Sequence, residues 1–154
     1  MNLAAGCRPC SGKDRTSYRN EVDVPLFRRK PKEAEAVDPN ARSEQLGVRH
    51  KDLLVMGQLM QQGADLTKAR HALYYVYFAA REAAEAGAEE ARAVGYTCEV
   101  RDPLAEQPGQ SSLVCERSDA VLDPGGVIVA DDLFQGMADR LQGDFDGWEA
   151  AGRP

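Results

Sequence analysis

The 154-residue chain has room for one folded domain and a tail, and an apolar fraction of 43% excludes a protein that is disordered throughout. No apolar run reaches the roughly 18 residues of a membrane-spanning helix. The net charge of −6 conceals an acidic stretch, residues 71–150, where 5 Lys/Arg stand against 16 Asp/Glu, a net of −11 that repels phosphate backbones and favours basic partners.

Residues 1–46 are predicted to be a disordered tail, because prolines and scattered charges interrupt them and no apolar period is sustained. Cys7 and Cys10 form a CxxC pair, but no second pair or nearby histidine completes a zinc site, so no metal or redox function is expected. The basic run at residues 28–32 (RRKPK) is weak evidence for nucleic-acid binding. The few residues before Cys7 leave no room for a secretion signal, so a cytoplasmic protein is expected.

Residues 47–66 are predicted to be a leading helix and a linker, with the helix at residues 51–62. Asp52 is expected to begin this helix, and Gly63 to cap its end. The apolar side chains that recur at helical spacing are Leu53, Val55, Met56, Leu59 and Met60. This side of the helix is expected to cover the domain that follows, residues 67–150.

Residues 73–78 (LYYVYF) are rich in aromatic and β-branched side chains and predict a strand buried on both faces. Leu73, Tyr75 and Tyr77 fall on one face of this strand, and the two tyrosines are expected to pack against the leading helix. Residues 81–94 predict a helix that ends at Gly95. The small side chains on one side of this helix are Ala80, Ala84, Gly87, Ala91 and Val94.

Residues 96–101 alternate with a period of two and predict a second strand, which a loop at residues 102–110 joins to a third strand at residues 113–116. Cys98 and Cys115 lie in these two strands and are expected to be buried. If the strands pair, the two thiols face each other, but a reducing cytosol argues against a disulfide.

Asp123 and Pro124 predict the start of another helix, as its N-cap and its first helical residue. Spacings of three and four residues give this helix an apolar stripe of Val127, Ala130, Phe134, Met137 and Leu141. Gly143 is expected to end the helix, and residues 145–149 (FDGWE) predict a short last strand.

The predicted order is strand, helix, strand, strand, helix, strand. This is the βαββαβ plan of a ferredoxin-like α+β fold, with one antiparallel sheet and both helices on one face. Right-handed crossover connections leave few competing topologies. The leading helix precedes this domain, and residues 151–154 form a C-terminal tail.

The sequence contains no motif that is typical of a catalytic site. Nucleophilic catalysis needs a base beside the nucleophile, and neither His50 nor His71 is accompanied by a nucleophile-elbow motif. The acidic pairs lack the D-x-D-x-D-G spacing of calcium loops, and no GxGxxG or GxxxxGK loop is present to bind a phosphate-bearing cofactor. We therefore expect a protein that is not an enzyme and that has no cofactor or metal.

Three segments together resemble the RraB family, which are protein regulators of ribonuclease E. They are residues 63–67 (GADLT) leading into 74–78 (YYVYF), residues 81–84 (REAA) through 95–96 (GY), and residues 145–149 (FDGWE). The resemblance covers roughly the last two-thirds of the chain. It implies a ferredoxin-like fold and a cytoplasmic bacterial protein that inhibits ribonuclease E by direct binding, which alters RNA turnover without cleaving RNA.

Partner contacts are assigned to acids and an aromatic residue near the end of the domain, since aromatic side chains flanked by acids suit a basic target. These residues are Asp131, Asp132, Asp144, Asp146, Trp148 and Glu149. Asp144, Asp146 and Trp148 alternate along the last strand and should share one face. The alternative is a structural role, in which Trp148 fills the sheet edge and Gly147 permits a bulge.

The sequence leaves three hypotheses for function. The first is an acidic regulator that binds a basic, RNA-handling region of an endoribonuclease. The second is an interaction module of the same fold with another basic protein as partner, or a homodimer formed through an edge strand. The third is an RNA-binding domain that stacks bases on Tyr75 and Tyr77, which the missing RNP motif and the negative charge oppose.

Overall fold

The structure, a computed structural model, describes residues 36–103, 105 and 109–152. Its elements in chain order are α1 (His50–Gln61), β1 (Arg70–Phe78), α2 (Arg81–Ala93), β2 (Thr97–Arg101), β3 (Ser111–Ala120), α3 (Pro124–Leu141) and β4 (Gly143–Ala150). The order predicted from the sequence is thus observed, with longer first, third and last strands. The CxxC pair and the basic run lie outside the described residues.

The four strands form one antiparallel sheet in the order β2-β3-β1-β4. β1 is central and pairs with β3 on one side and with β4 on the other. Helix α2 packs mainly over β2 and β3, and α3 packs over β1 and β4. This strand order, with both crossover helices covering the same sheet, confirms the predicted ferredoxin-like fold, to which α1 is added at the N-terminal side.

The core lies between the sheet and the crossover helices. On β1, Tyr74, Val76 and Phe78 are buried, while the side chains between them are half-buried. The Tyr74 ring stacks on Phe134 of α3 at a centroid distance of 4.7 Å, and Phe134 stacks on Phe145 of β4 at 5.6 Å. This aromatic column joins β1, α3 and β4, and large rings of this kind dominate the energetics of small cores.

Helix α2 approaches its neighbours closely because its inner side chains are small. A Cβ added at Gly87 would lie 2.8 Å from Met137 Sδ of α3 and 3.2 Å from Leu113 Cδ2 of β3. Glycine therefore sets the distance between these elements. The predicted small-residue side is buried except at its two ends, Ala80 and Val94, of which Val94 is 51% exposed.

The predicted starting signals of α3 are confirmed. Asp123 Oδ1 accepts a hydrogen bond of 2.8 Å from the Gly126 N–H, and Pro124 is the first helical residue. The glycine predicted after α2, Gly95, has a φ of 96°. The start of α3 and the end of α2 are thus specified by residues adjacent in the chain, which is why the sequence could predict them.

The end of α3 differs from the prediction. The helix closes at Gln142, which has a left-handed φ of 54°, and Gly143 already begins β4. A Cβ at Gly143 would lie 2.5 Å from the ring of Phe78. The glycine is thus required by packing against the neighbouring strand rather than by the turn that ends the helix.

Helix α1 is rotated relative to the predicted orientation. Arg49, not Asp52, occupies the N-cap position, and it makes no side-chain capping bond. Asp52 faces inward together with Met56 and Leu59, whereas Met60 is 57% exposed. Hydrophobic spacing alone placed Met60 inside and missed Asp52, because a polar residue in the core is specified by its partner and not by its hydropathy.

Residues 36–46, which the sequence assigned to the tail, form turns beside α1. Arg42 and Arg49 form an isolated antiparallel bridge, and the His50 N–H donates to the Ala41 carbonyl at 3.1 Å. Val48 is buried in the core at 1% exposure. The compact unit therefore begins at Ala36 rather than at residue 47.

Cys98 and Cys115 occupy directly opposed positions on β2 and β3, with a Cα–Cα distance of 4.2 Å, and they are joined by a disulfide. The expectation of two free thiols was wrong. It rested on the redox state of the cytosol, whereas the strand register alone brings the two side chains together.

Candidate functional site

Within the described part of the chain, no group of three or more His, Cys, Asp or Glu side chains is placed to bind a metal ion. His71 is about half exposed, and its Nε2 lies 3.0 Å from Glu116 Oε2, which is also about half exposed. This is a surface contact that becomes an ion pair when the imidazole is protonated.

A bulge in β4 decides which way its side chains point. Gly147 lies opposite Tyr75 and Phe145 lies opposite Val76, so Asp146 between them is an extra residue with no opposite residue on β1. Gly147 has a φ of 135°, which glycine adopts at little cost. As a result Phe145 and Trp148 are both buried on the side of the helices. The prediction that Asp144, Asp146 and Trp148 share one face is therefore wrong, and the alternative of a bulge at Gly147 is confirmed.

Trp148 joins the last strand to the first helix. Its Nε1 donates a hydrogen bond of 2.9 Å to Asp52 Oδ1, and both residues are buried, at 8% and 2% exposure. Burial raises the pKa of the Asp52 carboxyl above its usual value, and the negative charge of Asp131 raises it further, against the lowering effect of the indole hydrogen bond. Among the described residues, Asp52 Oδ2 has no hydrogen-bond partner.

A second buried carboxylate, Asp131 of α3, binds two arginines. Its Oδ2 accepts from Arg49 Nε at 2.9 Å and from Arg42 Nη2 at 3.0 Å. Arg42 also binds the exposed Asp132 at 2.5 Å, and its Nη1 donates to the Gly47 carbonyl at 2.9 Å. Asp131 is 2% exposed, so these contacts hold residues 36–49 against α3 in a partly dry environment.

The six residues assigned to partner contacts therefore lie in different environments. Trp148 and Asp131 are buried and bound to other parts of this chain. Asp132 is exposed beside Arg42. Asp144, Asp146 and Glu149 are exposed on β4, and their contact role stays a prediction.

The side of the sheet that faces away from α2 and α3 is here called the open sheet face. It consists of the central side chains Leu73, Tyr75, Tyr77 and Val114, with His71, Thr97, Glu99, Arg101, Ser112, Glu116, Asp144 and Glu149 around them. The prediction that α1 packs on the two tyrosines is wrong. α1 lies on the other side of the sheet, where Lys51 Nζ is 5.4 Å from the centroid of the Phe145 ring.

Carboxylates dominate the edge of the open sheet face. Glu149 accepts a hydrogen bond of 2.6 Å from the Tyr75 hydroxyl, and Glu116 lies beside His71. Arg101 donates to Glu99 from Nε at 3.0 Å and from Nη2 at 2.8 Å. The hydrogen bond to Glu149, helped by partial burial, raises the pKa of Tyr75 to about 12, so its ring stays neutral and its hydroxyl stays a donor.

A shallow groove of about 260 Å³ crosses the open sheet face between β2 and β1. Apolar Leu73 and Val114 form its floor, and Glu99, Arg101 and Glu116 are among the residues of its walls. An apolar floor with charged walls suits a protruding side chain that has both an apolar stem and a charge.

Sequence reasoning placed Leu73, Tyr75 and Tyr77 on one face and assigned Asp144 and Glu149 to partner contacts, but it missed the other members of this surface. The shared face of these three β1 residues follows from their alternation along the strand and is confirmed. Val114 and Glu99 join them only through the pairing register of β3 with its two neighbours. That register is not contained in the local sequence.

Among the described residues, no helix is long and apolar enough to cross a membrane. A family model described as "RraB: Regulator of ribonuclease activity B" matches residues 49–150. The matched residues include the whole sheet, both crossover helices, the open sheet face and the Asp52–Trp148 pair. No curated protein matches the chain.

Proposed function

The chain belongs to the RraB family of ribonuclease regulators, and from that membership we propose that it binds an endoribonuclease of the ribonuclease E type and lowers its RNA cleavage without catalysing a reaction. The observation that carries the proposal is the family match over residues 49–150. As part of the same proposal, the protein acts in the cytoplasm of a bacterium, where such an enzyme and its RNA substrates are found together.

The charge of the domain supports a basic partner. Residues 71–150 carry a net charge of −11, and an enzyme that handles RNA presents basic surfaces to phosphate groups. An acidic protein is attracted to such surfaces and competes there with RNA. This charge pattern supports inhibition by occupation of a basic region.

The use of the buried carboxylates supports binding rather than catalysis. Asp52 accepts from Trp148, and Asp131 accepts from Arg42 and Arg49, so each serves a contact within the fold. Catalytic carboxylates instead face a cleft in which a substrate reaches them. Surface acids then remain as the groups available to a partner.

The test combines co-purification with a cleavage assay. A tagged full-length chain is expected to retain a purified ribonuclease E-type enzyme and to slow cleavage of a fluorescent single-stranded RNA, with inhibition that weakens as salt rises from about 50 to 300 mM because surface attraction is screened. A matched control adds the same molar amount of an unrelated acidic protein. The proposal fails if the enzyme is not retained and cleavage is unchanged.

A second candidate is a protein-interaction module with a different partner or with a second copy of itself. β2 (Thr97–Arg101) and β4 (Gly143–Ala150) are the two edge strands of the sheet, and an exposed edge can pair with another chain. Light scattering of the pure protein distinguishes a homodimer from a monomer. An RNA-binding role would show as a gel shift at low salt, which the acidic edge of the open sheet face opposes.

A further inference from the structure

We propose that the open sheet face is the docking surface for a basic, arginine-containing segment of a protein partner. This inference rests on the proposed function only for the identity of the partner, since the surface itself defines the chemistry that it accepts. The centre of the face is apolar and aromatic, and its edge is acidic.

The first argument is that the described part of this chain leaves the face uncovered. α1 is the element that could have covered it, and the Trp148–Asp52 hydrogen bond holds that helix on the opposite side. Tyr75 and Tyr77 remain half-buried at the surface of the sheet, with Gly147 opposite Tyr75 on β4. The absence of a side chain at Gly147 keeps the edge of the Tyr75 ring accessible.

The second argument is charge complementarity. Glu99, Glu116, Asp144 and Glu149 contribute four carboxylates to the face, whereas its basic groups are Arg101 and His71. Both basic groups already lie beside carboxylates of the same face. Phosphate groups are repelled by such an arrangement, and cationic side chains are attracted.

The third argument favours arginine over lysine. Tyr77 and Asp144 are directly opposed on β1 and β4, so an aromatic ring and a carboxylate stand about 5 Å apart at their Cβ atoms. A planar guanidinium can stack on the ring while its N–H groups bind the carboxylate, and an ammonium group cannot do both in this way. The same chain already places the Arg117 guanidinium 5.3 Å from the centroid of the Tyr96 ring.

The dimensions of the face limit the segment that it accepts. Four strands about 4.8 Å apart give a width of about 15 Å, which an extended segment of about five residues can cross. A segment of about five residues buries much less surface than a standard protein–protein interface, so the isolated segment is expected to bind with micromolar affinity. Contacts elsewhere would add to it in the intact complex.

The test uses the full chain and two peptide probes, fluorescein-labelled GRGRGRGRG and GKGKGKGKG, with binding followed by fluorescence anisotropy. The open-face variant carries Glu116→Gln, Asp144→Asn and Glu149→Gln. The matched control carries Glu82→Gln, Glu89→Gln and Asp139→Asn, which remove the same charge from exposed positions on α2 and α3. Circular dichroism melting confirms that both variants are folded.

We expect the arginine peptide to bind more tightly than the lysine peptide. We also expect the substitutions of the open-face variant to lower its affinity for the arginine peptide by about tenfold. Those of the control variant should lower this affinity by less than about twofold. A second pair of variants tests the ring itself: Tyr77→Phe retains binding, and Tyr77→Thr, which removes the ring but keeps a residue of high strand propensity, weakens it. Equal weakening by the two charge variants, or equal binding of the two peptides, would overturn the proposal.

Co-purification of the ribonuclease with the wild type and the same variants distinguishes this inference from the proposed function. If the enzyme is retained by the wild type and the control but lost by the open-face variant, both proposals stand. If the open-face variant retains the enzyme fully, the docking surface is wrong while the regulator function stands. If no variant retains the enzyme but the arginine peptide binds the open face, the surface stands and its partner is another basic protein. A low-salt gel shift with single-stranded RNA that Tyr77→Thr abolishes would instead identify an RNA-binding face.

Discussion

Trp148 Nε1 donates its hydrogen bond to Asp52 Oδ1 across 96 residues of sequence and so fastens β4 to α1 inside the core. The contact explains two departures from the predicted structure at once. It turns Asp52 inward on a helix whose spacing had placed Met60 there, and it removes Trp148 from the surface where a partner was expected to meet it.

Trp148→Phe is expected to lower the free energy of unfolding by about 2 kcal/mol, because Asp52 loses its donor while remaining buried. Urea denaturation followed by circular dichroism measures the change. In a double-mutant cycle with Asp52→Ala, the two losses should be clearly non-additive, since both substitutions break the same contact. Strict additivity would show that the indole and the carboxyl do not interact.

Asp52 also predicts a pH dependence. Its pKa is raised in the folded state, so between the unfolded value of 3.8 and the folded value the native protein binds more protons than the unfolded chain does. The contribution of this carboxyl to stability therefore falls as pH rises through that window, and the penalty stays constant above it. The wild type should lose stability relative to Asp52→Asn over this range in urea melts at successive pH values. A constant difference between the two proteins would contradict the raised pKa.

Asp131→Asn is expected to cost about 2 kcal/mol of unfolding free energy, because it weakens the contacts of two arginines with a buried carboxylate. Both arginines keep some access to solvent, which moderates the loss. The matched control is Asp132→Asn, at a neighbouring exposed position that is 62% exposed and binds Arg42 alone. That substitution should change stability by less than about 0.5 kcal/mol. Similar losses in the two variants would show that residues 36–49 are not held through Asp131.

Gly87→Ala should destabilise the protein by about 1 kcal/mol, although alanine favours helix, because the new Cβ would lie 2.8 Å from Met137 Sδ in a fully buried contact. Gly57→Ala in α1 is the control, since an added Cβ there meets nothing within 4 Å. It should raise stability by about 0.5–1 kcal/mol. Thermal melting of the two variants should therefore move in opposite directions, and a stabilising Gly87→Ala would show that α2 is less closely packed than the structure has it.

The parts of the fold that were predictable from the sequence are those specified by neighbours along the chain. The N-cap at Asp123, the glycine after α2 and the alternation of Tyr74 with Tyr75 each follow from a few adjacent residues. The order of strands and helices then leaves few topologies, and the sheet order observed is one of them.

The parts that escaped prediction depend on partners distant in sequence. Asp52 is buried because Trp148 and not its own neighbours provides its donor, and Gly143 is required by the ring of Phe78 rather than by a helix end. Leu73 and Tyr75 meet Val114 only through strand register. The local sequence therefore predicted Leu73, the two tyrosines and the acids of β4, while Val114 and the acids of β2 and β3 depended on how the strands align.

Asp146 is an extra residue in β4, and the bulge around it allows the same strand to bury Trp148 and expose Glu149. Because strand side chains alternate, regular pairing of every residue of β4, Asp146 included, would reverse the direction of the side chains that follow Asp146. Trp148 would then turn to the solvent, and Glu149 would point toward the aromatic column. The bulge therefore lets a short strand bury its indole in the core while it displays a carboxylate for recognition three positions after Asp146.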